Sequence, residues 1–205
     1  MFRKYRIKQI LMASKRACRD FVSHCKGVAS IEFAIILPIM VAILIGTIEL
    51  SHAYTVYRRV DNVGSITADL ITNAPNGNIE NAEELNNIMS MIPILMEPYE
   101  SGHIKLTATN VITGVTDNSN TSVCWSYNYN EGVKTYSTGE YVEIPHEGLV
   151  QNGESVVIVE VEYEYKPFAF AMFINGPMKF EQTFYMSPRQ SSYIRYDGEG
   201  CVAPT

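Results

Sequence analysis

The residues whose types and spacing could do chemistry lie just before a long apolar run. Gly27 follows a basic stretch, and Glu32 stands five positions later among otherwise uncharged residues. Gly27 has no side chain, which suits the close approach of a protease to the backbone. If the chain were cut before Val28, the new amine and the Glu32 carboxylate would be i and i+4 on one helical face. They would then offset each other's charge, within one chain or between neighbouring chains.

Four cysteines are the other reactive side chains. Cys18 and Cys25 precede the apolar run, and Cys124 and Cys201 follow it. If the residues after the run are exported into an oxidising space, Cys124 and Cys201 are expected to pair, whereas the first two stay reduced. The bridge would tie the C-terminus to a central strand. The alternative, a reactive thiol or a metal ligand, lacks a nearby histidine.

No motif in the sequence indicates a catalytic, cofactor or metal site. His52, His103 and His146 have no His, Cys or carboxylate at metal-ligand spacing. A Gly-rich phosphate loop, Gly-x-Ser-x-Gly and His-Glu-x-x-His are all missing. We therefore expect no enzymatic activity and no cofactor. A membrane-tethered hydrolase is the alternative that the sequence supports least.

The charge distribution predicts a membrane protein with its N-terminus in the cytoplasm. Residues 1–27 hold eight Lys or Arg and one Asp, whereas the whole chain has a net charge of −6. An acidic body argues against nucleic acid as a partner, since phosphates need a basic face. The basic head is typical of the cytoplasmic flank of a membrane segment, and it outweighs Arg58 and Arg59 beyond the run.

The apolar run is long enough to span a bilayer. Residues 33–48 carry no charge, and residues 28–50 as a helix extend about 35 Å, against ~30 Å for a bilayer core. The cost is Glu32, because a charge near the bilayer centre is unfavourable by ~2.5 kcal/mol or more. An acid in such a place usually has a partner.

The following residues predict a helical extension and then strands. Apolar residues at helical spacing continue the membrane helix to about Ile71, before the breaker at residues 73–77. A second helix is predicted over residues 81–92, capped by Asn81 and ended by Pro93 and Pro98. Five strands are predicted beyond Ser101, at residues 103–113, 122–129, 140–144, 155–165 and 179–187.

Alternation in the strand at residues 155–165 gives it two distinct faces. Val157, Val159, Val161, Tyr163 and Tyr165 are predicted to face the core. On the opposite face lies a row of acids, which we interpret as solvated: Glu160, Glu162 and Glu164.

The residues around Gly27 resemble a known processing motif. A small residue after a basic stretch, a glutamate five positions on and unbroken hydrophobics resemble a type IV prepilin cleavage site. The continuation Glu32-Phe33-Ala34, with Pro38 shortly after, resembles the TadE-like family of minor pseudopilins more closely. Softer similarities extend along the chain, to Pro98-Tyr99, Cys124-Trp125, residues 163–167 and residues 185–189.

This resemblance implies a role in assembling a tight-adherence pilus. It implies a cut between Gly27 and Val28 by a prepilin peptidase at the cytoplasmic face, with Glu32 and Phe33 acting in assembly. The implied partners are other pilins or pseudopilins, inner-membrane pilus assembly proteins and membrane lipid. Two alternatives stay open: an unprocessed signal-anchored binding or sensor domain, and a secretory signal cut near Ser51-His52-Ala53.

The sequence therefore predicts an α+β protein in four parts. Residues 1–27 form a basic cytoplasmic leader, and residues 28–52 form a transmembrane helix. Residues 53–100 form a helical extension and a short second helix, and residues 101–205 form an antiparallel β-rich exported domain. The expected location is the bacterial inner membrane, with one pass and the C-terminal domain in the periplasm.

Overall fold

The computed structural model describes residues 26–116, 120–145, 150–168, 176–198 and 200–204. The predicted leader, with Cys18 and Cys25, lies almost wholly outside these residues, as does His146. The chain divides between Ile48 and Glu49, and residues 49–205 form a compact unit. A long apolar N-terminal helix, a short second helix and an antiparallel sheet confirm the predicted α+β fold.

Helix α1 is Lys26–Thr72 and contains Pro38. Its end agrees with the predicted breaker, since Pro75–Gly77 forms a short 3-10 helix with Asn76 at φ 55°. Past Ile48, the face of α1 with Val56, Val60 and Val63 is fully buried. This is the spacing that the sequence predicts for a helix packed on a core.

The second helical region differs from its prediction. Helix α2 is Ala82–Met89, and its cap Asn81 accepts a hydrogen bond from the Glu84 N–H at 3.1 Å. A separate helix α3 follows at Ile92–Met96. Pro93 therefore does not end a helix; it lies in the first turn of α3, where its missing N–H costs no hydrogen bond.

A four-stranded antiparallel sheet forms the main part of this unit. Its strands are β2 (Ile104–Thr113), β3 (Thr121–Tyr129), β4 (Ser155–Tyr165) and β5 (Met178–Met186), in the order β3-β2-β4-β5. The short strands β1 (Asn78–Ile79) and β6 (Arg195–Tyr196) pair in parallel. Four of the five predicted strands are thus present with nearly the predicted bounds.

The predicted strand at residues 140–144 is wrong. This segment runs beside β3 and shares hydrogen bonds with it, from Gly139 N to Val123 O at 2.8 Å and from Val123 N to Glu140 O at 2.9 Å. Val142 N then bonds the Thr121 hydroxyl instead of a backbone carbonyl. The backbone ladder stops there, so the segment is extended chain and not a strand.

The sheet is covered on both faces. The larger core lies between α1 and the face with Val157, Val159 and Val161. Gly64 lies where α1 comes closest, because a side chain there would collide with the Phe184 ring and meet Val161 Cγ2 at 3.0 Å. A smaller cluster with Val111, Val123, Val156 and Ile158 occupies the other face, under Tyr136, Val142 and Ile144.

Candidate functional site

The predicted processing site lies in α1, directly before its exposed apolar residues. Both residues of the Gly27–Val28 peptide bond have helical backbone. Val28 is 57% exposed, and Glu32 is also exposed one turn later. Residues four apart on a helix share a face, with Cβ atoms ≈ 5–6 Å apart. A new amine at Val28 would therefore be within reach of the Glu32 side chain.

An exposed apolar surface follows this site. Residues 28–48 present aliphatic and aromatic side chains to the surroundings in every direction, Phe33 among them at 59% exposed. Such a helix is apolar all round, which is typical of a membrane span. By length and composition, α1 is the one helix among the described residues that can cross a membrane. The chain thus has one long apolar N-terminal helix that fits a single-pass membrane anchor.

Glu49 directly follows the uncharged run of residues 33–48 and is held by the folded domain. Its side chain is only 8% exposed. The Tyr165 hydroxyl donates to Glu49 Oε1 at 2.8 Å, and the Phe168 backbone N–H donates to the same oxygen at 3.0 Å. Charge-assisted hydrogen bonds of this kind are about twice as strong as neutral ones. Glu49 therefore fastens the end of β4 to α1.

Sequence reasoning missed this contact, because it joins residues 116 positions apart. The available signal was the acid itself, which directly follows the uncharged run and needs a donor if it is buried. The Tyr165 ring stacks on Phe180 at 5.6 Å between centroids, which fixes its hydroxyl toward Glu49.

The Tyr165 contact predicts a loss of stability at high pH. Burial first, and then the hydrogen bond to the Glu49 carboxylate, raise the pKa of Tyr165 from 10.0 to about 12. Because the folded pKa is raised, the stabilisation is complete below pH 10 and is lost as the pH rises toward 12. Between about pH 9 and pH 12, we expect the free energy of unfolding to fall by about 2 kcal/mol more in the natural chain than in Tyr165→Phe.

Denaturant unfolding of the detergent-solubilised chain at several pH values measures this difference. The Tyr165→Phe chain is the control, because phenylalanine cannot ionise while every other tyrosine is unchanged. Parallel pH curves for the two chains would show that folding does not raise the pKa of Tyr165, and would contradict the prediction.

The acids of β4 differ from the prediction that they form a solvated row. Glu160 and Glu162 are not solvated but buried, at 7% and 9% exposed. Lys134 Nζ lies 2.8 Å from Glu160 Oε1, and the Tyr136 hydroxyl donates to Glu160 Oε2 at 3.0 Å. Lys179 Nζ lies 3.0 Å from Glu162 Oε1. Only Glu164 keeps partial exposure.

These ion pairs are structural. The hydrogen bond to Glu160 is the main cause that raises the pKa of Lys134 to about 12. Bonding to Glu162 likewise raises the pKa of Lys179. Both lysines thus stay charged and neutralise acids that would otherwise be buried alone. The pairs close the face of the sheet opposite α1.

The structure joins Cys124 and Cys201 in a disulfide, with their Cα atoms 5.0 Å apart. The strand pairing explains the position of Cys124. Val123 pairs with Val111 and Trp125 with Asn110, so Cys124 is the extra residue of a bulge. Beside it, the Trp125 indole N–H and the Asn110 amide both donate to Ile194 O at 2.9 Å. The C-terminal segment is thereby tied to β3 and β2, and Trp125 packs in the core.

No metal site emerges from the residues that the structure describes, since none of their His, Cys, Asp and Glu side chains form a group of three or more that could hold an ion. His103 Nε2 instead lies 3.6 Å from Glu100 Oε2, three residues earlier in the chain.

A comparison with protein families tests the resemblance to the TadE-like family. Residues 27–69 match the family model of the TadE-like proteins. The TadE-like match begins at Gly27 and continues through the exposed apolar part of α1 into its buried part, which confirms the resemblance. It covers less than half of the chain and includes none of the sheet. No curated protein and no solved structure matches the chain significantly. The TadE-like match indicates a protein associated with tight-adherence pili.

Proposed function

We propose that this protein is a membrane-anchored, pseudopilin-like structural component that takes part in assembling a tight-adherence pilus. One observation carries the proposal: the TadE-like match begins at Gly27, directly before the exposed apolar residues 28–48 of α1. A fold whose anchor starts at a motif of the prepilin type suits a subunit that is processed and then retained in the membrane. The proposed role is structural and not catalytic.

The proposed orientation places the basic leader in the cytoplasm and the domain of residues 49–205 in the periplasm of a bacterial inner membrane. The basic excess of residues 1–27 supports this orientation through the positive-inside rule. A prepilin peptidase would cut between Gly27 and Val28 at the cytoplasmic face. The disulfide also fits an exported domain, because disulfides persist in oxidising compartments.

The exposed apolar part of α1 supplies the proposed assembly surface. Its side chains are free to pack against lipid before assembly and against the apolar helices of other pilins or pseudopilins afterwards. Glu32 would pair with the Val28 amine of its own chain or of a neighbour. The domain beyond Glu49 would contact inner-membrane pilus assembly proteins. A binding or sensor domain on an uncut anchor is the competing function.

Intact mass and N-terminal sequencing of the protein extracted from membranes of its native host test this proposal. We expect a chain that begins at Val28. The Gly27→Leu variant is expected to remain uncut, because a bulky side chain blocks close approach of the peptidase to the backbone. Gly102→Leu is the matched control, since a Cβ at Gly102 meets no atom within 4 Å.

The two outcomes separate the candidate functions. A natural chain beginning at Val28, with Gly27→Leu uncut and Gly102→Leu cut, supports a processed pseudopilin. A natural chain that begins at Met1 contradicts processing and favours the anchored binding or sensor domain. A chain that begins near Ala53 would instead be a released secretory protein.

A further inference from the structure

Phe168 is the most exposed large apolar side chain among the described residues. It is 94% exposed, although Tyr165 at the end of β4 and Pro167 directly before it are both buried. Isolated exposed hydrophobics are common on protein surfaces, so exposure alone does not indicate that Phe168 contacts a partner. The position of Phe168 in the fold supplies the further argument.

Phe168 is fixed next to the end of the apolar anchor. Its backbone N–H donates to Glu49 Oε1 at 3.0 Å, and Glu49 directly follows Ile48, the last residue of the exposed apolar segment. The Tyr165 hydroxyl bonds to the same oxygen. The Phe168 backbone is therefore joined by one hydrogen bond to Glu49, the residue that directly follows Ile48 in α1. If residues 28–48 span a bilayer, Phe168 lies at the level of the headgroups.

The neighbouring sequence has the composition of a lipid interface. No charged residue lies between Lys166 and Lys179, and residues 168–174 are all apolar. Lys166 is exposed directly before Phe168. On α1, the residues just after Glu49 also expose apolar and aromatic side chains, with Leu50 at 72% and Tyr54 at 61%. Aromatic side chains concentrate where a protein meets the headgroup layer, and the long stem of a lysine lets its charge reach that layer.

We propose that Phe168 inserts into the interfacial layer of the bilayer, as a second lipid contact of the exported domain. This inference rests on the proposed membrane anchor and adds a function to Glu49. By accepting from both Tyr165 and Phe168, Glu49 holds the end of β4 against the membrane surface. The partner is the bilayer itself, because the Phe168 backbone is bonded to Glu49 at the end of the anchor and its side chain is 94% exposed.

Quenching of tryptophan fluorescence by brominated acyl chains tests the proposal. The full chain is reconstituted in vesicles of anionic and zwitterionic phospholipid, with or without bromine on the acyl chains. Trp125 is the single tryptophan and is 7% exposed, so the natural chain supplies the background emission. Three variants each add one indole: F168W, I43W in the apolar segment and V202W, where the natural valine is 83% exposed.

We expect brominated lipid to remove most of the added emission of F168W and I43W and to leave that of V202W unchanged. Quenching of I43W without F168W would overturn the lipid contact and leave the anchor standing; a neighbouring pilin would then be the better partner for Phe168. If brominated lipid quenched neither F168W nor I43W, the anchor and the contact would both be overturned. Equal quenching of F168W and V202W would indicate general adsorption of the domain and would also overturn the proposal.

Discussion

The Glu32→Gln chain is expected to enter the membrane and to be cut normally, but to lose nearly all pilus assembly. Glutamine is less costly than a carboxylate in an apolar layer, so insertion should not suffer. Glutamine cannot neutralise the Val28 amine, however. An unpaired ammonium group would then have to be buried when apolar helices pack together, and a buried unpaired charge is strongly destabilising. Electron microscopy of surface pili, with immunoblots of membrane fractions, measures assembly and insertion separately.

Two further variants sharpen this experiment. Glu97→Gln removes an exposed acid from the folded domain and should leave pili unchanged. Glu32→Asp keeps the charge on a shorter side chain and should restore part of the assembly. Normal pilus formation by Glu32→Gln would count against the pairing of amine and carboxylate. A variant that fails to enter the membrane at all would show that Glu32 acts before assembly.

The predicted elements agree with the structure where residues close together in sequence determine them. The end of α1 follows from a turn signal at Asn73, Ala74 and Pro75, and the structure ends the helix at Thr72. Alternation in β4 correctly assigns Val157, Val159 and Val161 to the core. In both cases the deciding residues are neighbours in sequence, so their chemistry is readable without the fold.

The failures involve partners that are distant in sequence. Alternation shows that Glu160 and Glu162 face away from α1, but not that Lys134, Tyr136 and Lys179 cover that face. The error at residues 140–144 has the same origin, because strand propensity does not reveal whether a neighbour can continue the ladder. The sequence predicts that Pro93 ends a helix, whereas it lies in the first turn of α3, a position to which proline is equally suited.

The candidate site divides in the same way. Gly27, Val28 and Glu32 lie within one segment, so their spacing on a helix is already set by the sequence. Glu49 with Tyr165 depends on how β4 returns to α1 and is visible only in the fold. The helical spacing of Gly27, Val28 and Glu32 could therefore be predicted, whereas the contact that fastens the domain to Glu49 could not.

Removing the disulfide should cost the domain about 4 kcal/mol of unfolding free energy. Cys124 and Cys201 are 77 positions apart, and in the chain-entropy model a crosslink over such a loop stabilises by ~4 kcal/mol. The variant keeps the hydrogen bonds from Asn110 and Trp125 to Ile194 O, so the loss reports the crosslink itself. The Cys124→Ser/Cys201→Ser chain should therefore unfold at a much lower denaturant concentration than the natural chain.

The matched control is Cys18→Ser/Cys25→Ser, which removes two thiols from the predicted cytoplasmic leader and should leave stability unchanged. Denaturant unfolding of the natural chain and of both variants, with and without reductant, gives the comparison. Reductant should bring the natural chain to the stability of Cys124→Ser/Cys201→Ser and should not affect that variant. Equal stability of all six samples would contradict a stabilising bridge. If protein taken directly from the host already carries the bridge, the domain beyond Glu49 has passed through an oxidising compartment, which supports the proposed orientation without reference to the cut at Gly27.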